Sequence, residues 1–317
     1  MSTDDPGLRR VRRGRGFEYR DVTGGHIADE EQLARIRALA IPPAWDDVWI
    51  CAAPNGHLQA TGVDDAGRRQ YVYHPEWRAR MDAEKFDRML VLAQALPLAR
   101  RGVTRDLRNE GLGRRGVLAA AFRMLDAALL RVGSEQYARE HGSIGLSTLR
   151  CSHASVSGDV VSLRFPGKSS QPWASEVEDA DLAAIVQALR RRRRPAARLL
   201  AWDDDGHWHP VRAAEINDDV RERTGGDFTA KDFRTLHATV IAASGLARAG
   251  VPDSLAARKR LMARVVRDVA TTLGNTPAVA RASYVDPRLF DLYERGIVVD
   301  LGSGRGVEGQ LLDLLGS

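Results

Sequence analysis

Val48-Trp49-Ile50-Cys51-Ala52, Pro54-Asn55-Gly56, His57-Leu58-Gln59-Ala60-Thr61, Asp64-Asp65-Ala66-Gly67 and Arg69-Gln70-Tyr71-Val72-Tyr73 follow one another almost without interruption. Three alternating runs separated by two turn-forming clusters predict antiparallel strands. From about residue 83 the period changes. Segments 83–98, 114–131, 179–193, 211–223, 229–246, 254–273 and 287–294 space their apolar residues as helices do. One β interruption falls inside that series. Ala154–Val156, Val160–Phe165 and Gln171–Val177, joined at Ser157-Gly158-Asp159 and Pro166-Gly167-Lys168-Ser169, predict a three-stranded meander with Lys168 at a hairpin tip. Strands first and helices afterwards indicate an α+β protein of two domains. A small β-rich domain is expected over 1–82 and a mainly helical one over 83–317.

Outward from this core the chain is plainer. Residues 1–27 are polar and carry Arg9, Arg10, Arg12, Arg13 and Arg15, which reads as a solvated arm or as one lying on phosphate. Asp29 opens a short helix through Ala38, stopped by Pro42-Pro43. Arg190–Arg194 ends a helix before Pro195 and reads as a solvated face. Val298–Gly306 has the look of a strand and glycine turn from a methyltransferase. Only eleven residues follow it, too few for a doubly wound domain, so a tail is expected.

Composition narrows the function. The net charge of +5 and a pI near 9.5 favour a polyanionic partner. Two cysteines, Cys51 and Cys151, with no CxxC, exclude a disulfide framework and a thiolate zinc site. No apolar run nears the ~20 residues of a membrane helix, and no secretory signal is visible, so a cytoplasmic, nucleoid-associated protein without membrane attachment is expected. Pro166-Gly167-Lys168-Ser169 lacks the first glycine of a P-loop and is followed by a strand, not a helix. His207 and His209 have no third ligand nearby. No cofactor and no metal are expected.

Of the 47 Lys and Arg residues only Lys85, Lys168, Lys231 and Lys259 are lysine. In a chain that uses arginine almost everywhere, a lysine marks places where an ammonium that can release its proton is useful. Cutting DNA without metal needs cations for the phosphate oxygens, an acid for the departing 5′-oxygen and a nucleophile that keeps the bond energy. Two arginines, a lysine and a tyrosine suffice. The chain presents Arg131 in Leu130-Arg131-Val132-Gly133, at the expected end of a helix, and Lys168 on its hairpin tip. Lys231 and Arg234 lie on one helical face, and Tyr284 follows Leu273-Gly274-Asn275-Thr276-Pro277.

In this order the residues resemble the small type IB topoisomerases of poxviruses and bacteria, over nearly the whole chain. The resemblance implies that Tyr284 is the nucleophile, forming a 3′-phosphotyrosyl bond. It implies that Arg131 and Arg234 clamp the non-bridging oxygens and that Lys168 is the general acid, assisted by Lys231. Asn275 falls on the remaining phosphate donor, a histidine in the poxvirus and eukaryotic members. Gln70, Tyr71, Tyr73 and Tyr137 match DNA-contacting positions. The implied partner is duplex DNA, enclosed by a monomer and relaxed without ATP.

Two other readings remain open at this point. A tyrosine recombinase shares the chemistry, but places histidine where Lys231 stands and tends to begin with a helical domain. A non-catalytic DNA-binding clamp would use the same charge without forming an adduct.

Asparagine donates a neutral hydrogen bond and carries no charge. Single-turnover cleavage is therefore expected to show no inflection through this position at about pH 6 to 7. A steep loss across that range that disappears in Asn275→Ala would contradict the assignment.

Overall fold

The alternating run around Trp49 folds as a sheet because its apolar residues fall on one side and its turns close by hydrogen bonding. The computed structural model describes residues 5–168, 171–192 and 195–316 and divides into two units, Met1–Glu84 and Lys85–Ser317.

In the first unit β1 (Gly7–Arg13), β2 (Gly16–Arg20), β3 (Asp46–Cys51), β4 (Leu58–Val63) and β5 (Arg69–Tyr73) form an antiparallel sheet in the order β2-β1-β3-β4-β5. Helix α1 (Glu30–Ala38) starts where Asp29 accepts a hydrogen bond from the Glu31 N–H. It adds Ile36 to a core of Leu8, Ile27, Val48, Ile50 and Ala60. The polar N-terminal arm is thus corrected to a β-hairpin. The alternation is concealed because Arg10 takes a half-buried position. Its guanidinium donates to the carbonyls of Ile41, Pro42 and Trp45 at 3.3, 3.1 and 2.5 Å.

Helix α2 (Pro75–Asn109) carries the boundary between the units and runs unbroken with Pro97 inside it. The helix therefore begins earlier and ends later than the periodicity of 83–98 indicates. The second unit continues with α3 (Arg114–Ala128), α4 (Glu135–His141) and the antiparallel meander β6 (Ala154–Ser157), β7 (Val160–Pro166) and β8 (Pro172–Glu178). Next come α5 (Ala180–Arg190), the hairpin of β9 (Ala201–Asp204) and β10 (His207–Pro210), and α6 (Ala213–Thr224). Then follow α7 (Ala230–Ala249), α8 (Leu255–Leu273), α9 (Pro277–Ser283), α10 (Pro287–Glu294) and α11 (Val307–Leu315). A strand-rich first unit and a larger, mainly helical unit that carries the meander make the protein α+β.

The helices pack round Phe122, Leu125, Phe233 and Leu236, with Phe122 and Phe233 edge to face at 5.2 Å.

Other expectations are corrected here. The helix expected to reach residue 131 ends at Ala128, because Leu129 turns left-handed at φ 56°. Arg131 therefore stands beyond the helix. The β9–β10 hairpin and α4 had no clear periodic signal. The expected C-terminal tail ends in α11. Within the arginine run Arg192 is not solvated: it donates to the carbonyls of Leu189, Arg198 and Leu199 at 2.7, 2.6 and 2.7 Å. Arg193 and Arg194 lie outside the described residues.

Helix α11 is held by charge as well as by Leu311 and Leu315. Arg100 on α2 donates to Asp126 on α3 and to Glu308 on α11, and Asp126 also accepts from His237 on α7 at 2.9 Å. Burial pushes the Asp126 carboxyl up. Hydrogen bonds from Arg100 and His237 outweigh it and hold that carboxyl well below the usual range. Asp126→Asn should cost about 3 kcal/mol near neutral pH by leaving Arg100 short of an anion. Because the folded pKa is depressed, that stabilisation is complete above the unfolded value of about 3.9 and fades as pH falls below it. Denaturant unfolding of parent and variant should accordingly differ at pH 7 and converge in acid. A constant gap would show that the carboxylate charge does not carry the effect.

Candidate active site

The N-terminus of α7 delivers two of the expected cations. Thr229 caps it, and Asp232 accepts from the Thr229 N–H at 2.8 Å and from its hydroxyl at 3.0 Å. Asp232 is buried and also takes two hydrogen bonds from Arg88 on α2, at 3.0 and 2.6 Å. With Asp232 turned inward, Lys231 is exposed and Arg234, one turn along, is only 2% exposed.

Arg234 has no carboxylate partner among the described residues. Its guanidinium donates to the carbonyl of Leu129 at 2.5 Å and to that of Leu273 at 2.8 Å. These carbonyls end α3 and α8, where the helix dipole is negative. Its Nε–H is buried with no acceptor among the described residues. Burial and the neighbouring Arg131 lower its pKa to about 10, so it stays a cation at neutral pH.

Arg131 reaches the same place by a different route. After the left-handed Leu129 the chain runs against Gly145–Ser147: the Arg131 and Val132 carbonyls accept from the N–H groups of Leu146 and Ser147 at 2.9 and 2.8 Å. Gly133 and Gly145 meet backbone to backbone, and a Cβ on Gly145 would lie 2.5 Å from the Gly133 Cα. Arg131 then donates to Asn275 Oδ1 at 2.9 Å. Asn275 Nδ2 is left buried with no partner among the described residues.

Asn275 and Tyr284 are set by a short, strongly signalled turn. Gly274 ends α8 at φ +59°, Thr276 caps α9 and Pro277 is its first residue. Tyr284 follows α9 at once. The Thr239 hydroxyl on α7 accepts from the Asp286 N–H at 3.2 Å and lies 3.3 Å from the Tyr284 carbonyl. The half-buried Tyr284 ring has the Arg234 Cζ 5.2 Å from its centroid. Burial pushes the phenol up, but the charges of Arg234, Arg131 and Lys231 prevail and the net shift is downward.

Arg131, Lys231, Arg234 and Tyr284 line one cavity of about 350 Å³. Arg131 also borders a second, of about 390 Å³, which the exposed Lys168 lines as well. The structure thus brings together five of the six expected catalytic groups, counting Asn275 through Arg131, and places Lys168 across that arginine. A larger cavity of about 790 Å³, lined by Ser134, Trp202, His209 and Arg212, holds no comparable set.

Asn217 on α6 also lines the Tyr284 cavity, with its Oδ1 buried and unpartnered among the described residues. Its only mark in the sequence is a poor helix former inside a helix. In the first unit Tyr71 and Tyr73 are exposed on one face of β5 and stack at 6.1 Å. Gln70 is on the opposite face, donating to Asp64 at 2.8 Å. Tyr137 falls in α4, and its side chain lies outside what the structure describes.

Since burial alone would raise the Tyr284 pKa, removing the nearest charge should release that effect. In Arg234→Ala the phenol should titrate above its parent value. Ultraviolet difference titration with Tyr284→Phe as the blank measures it. An unchanged or lower value would mean that Arg234 does not set the field at the phenol.

Comparison with known proteins identifies the family. The family model of the eukaryotic DNA topoisomerase I catalytic core matches residues 74–291. That of the bacterial DNA topoisomerase IB N-terminal domain matches residues 16–64. The DNA topoisomerase 1B of Acanthamoeba polyphaga mimivirus is 30% identical over 294 residues, covering 91% of this chain and 88% of the viral protein. The DNA topoisomerase 1B of vaccinia virus (strain Copenhagen) is 20% identical over 249 residues, covering 76% of this chain and 74% of the viral protein. With its catalytic core and N-terminal domain both matched, the chain belongs to the type IB DNA topoisomerase family.

Proposed function

We propose that this type IB topoisomerase relaxes supercoiled duplex DNA by transesterification at Tyr284. The Tyr284 oxygen attacks the scissile phosphorus and its proton passes to water. The bond to the 5′-oxygen breaks, Lys168 gives that oxygen a proton, and a 3′-phosphotyrosyl bond remains. Arg131, Arg234 and the free Nδ2 of Asn275 receive the charge that builds on the non-bridging oxygens, with Lys231 assisting. The freed strand swivels, and its 5′-hydroxyl attacks the phosphotyrosine to restore the backbone.

The observation that carries this reading is the cavity shared by Tyr284, Arg131, Lys231 and Arg234, where no carboxylate among the described residues neutralises Arg234. Phosphodiester energy is held in the Tyr284 linkage, so ATP has no step to drive, and fixed cations take the part of a metal. The first unit, with Tyr71 and Tyr73 exposed, serves as a DNA-contacting module, and Gln70 joins it once released from Asp64. Tyr137 makes a further contact. Action as a monomer is part of the proposal. Action on duplex DNA would put the protein with the nucleoid in the cytoplasm.

Supercoiled plasmid should be relaxed in EDTA without ATP. Tyr284→Phe should bind DNA, form no SDS-stable adduct and relax nothing. An adduct mapped by mass spectrometry to any other residue would refute the assignment. Lys168→Ala should cleave about 10² to 10⁴ times more slowly. A 5′-bridging phosphorothiolate, whose sulfur leaves without an acid, should recover most of that loss. Failure of the sulfur to help would move the acid role elsewhere.

A further inference from the structure

Trp173 has no part in the chemistry above, yet it touches both halves of the proposed site. It lies on β8, paired in register with Phe165 on β7, the two rings stacked at 6.3 Å. Below the hairpin tip the Gly167 N–H donates to the Gln171 carbonyl at 2.8 Å, and a Cβ on Gly167 would lie 3.7 Å from the Trp173 Cβ. On its other side the ring abuts the turn that leads to Asn275 and Tyr284. A Cβ on Gly274 would come within 3.2 Å of Cζ3 and 3.4 Å of Cε3. The Arg234 Cζ lies 5.9 Å from the ring centroid. The indole N–H is satisfied within its own strand, by Ser175 Oγ at 3.1 Å. The remaining ring is therefore an apolar plate between two elements.

We propose that Trp173 is a positioning residue that docks the β7–β8 hairpin against Gly274 and Arg234, and so sets where Lys168 stands relative to Tyr284. Lys168 is exposed and shares a cavity with Arg131. Its reach is therefore fixed by how its hairpin is seated. Gly274 has two reasons to lack a side chain: its left-handed backbone and the ring beside it. An error of about 1 Å in the acid costs on the order of 10² in rate. A tryptophan that only filled space would lower stability without singling out the acid step.

The proposal rests on Lys168 as general acid, and the test separates the two. Trp173→Ala, Trp173→Leu, Trp173→Phe and Lys168→Ala are compared with the parent in single-turnover cleavage. One duplex is made twice, with an ordinary phosphodiester and with a 5′-bridging phosphorothiolate at the cut. Thermal midpoints identify the folded variants. Trp173→Ala should slow ordinary cleavage by about 10 to 100-fold. The sulfur substrate should recover most of that loss, and Trp173→Phe should cleave close to the parent. If the alanine variant does not fold, Trp173→Leu is read in the same way. Equal slowing on both substrates, or no slowing in a folded variant, would overturn the positioning role. Should Lys168→Ala be rescued and Trp173→Ala not, only this inference falls. Should Lys168→Ala itself not be rescued, both fall together.

Discussion

The site depends on how one buried cation is held without being neutralised. Arg234 rests on the carbonyls of Leu129 and Leu273, which end two different helices. Carbonyls at a helix C-terminus carry partial charge only, so they orient the guanidinium and leave its unit charge largely intact. Two half-buried arginines, by contrast, face carboxylates: Arg223 pairs with Asp106 and Asp219, and Arg100 with Asp126 and Glu308. Those pairs hold helices together and have little field left for a ligand.

This anchoring explains several features that look unrelated. Leu129 takes a left-handed backbone that is unfavourable for a bulky residue, and it then offers Arg234 its carbonyl while the chain turns towards Arg131. Asp232 must be inward for α7 to start where it does, which puts Arg234 beneath Tyr284 and Lys231 outside. Thr239, further along α7, holds the backbone around Tyr284 and Asp286. Helices α3, α7 and α8 thus converge on one guanidinium. The nucleophile is attached to that convergence by a glycine cap and a proline start.

Much of this was legible from residue types. The strands at 48–73, the meander about Lys168 and the turn Gly274-Asn275-Thr276-Pro277 all carry local signals, alternation or caps, that tertiary structure left in place. The N-terminal hairpin was not legible, because Arg10 stands where an apolar residue would have shown the alternation and satisfies backbone carbonyls instead. The end of α3 was missed for a similar reason, since Leu129 is a good helix former in a conformation usually left to glycine. Asn217 and Trp173 escaped notice because their significance lies in what they adjoin, and adjacency across the fold has no periodicity. Arg192 was misread because an arginine run looks alike whether its members meet water or carbonyl oxygen.

The cationic field at Tyr284 bears on both directions of the proposed reaction. A phenol that gives up its proton more readily is also a phenolate that departs more readily from phosphorus. The same charges that ease formation of the protein–DNA bond ease its rupture when the sugar hydroxyl returns. An environment that favoured attack alone would accumulate broken chromosomes. One that lowers the basicity of the phenolic oxygen makes it a better leaving group, so the phosphotyrosyl ester favours return of the sugar hydroxyl and the break is brief.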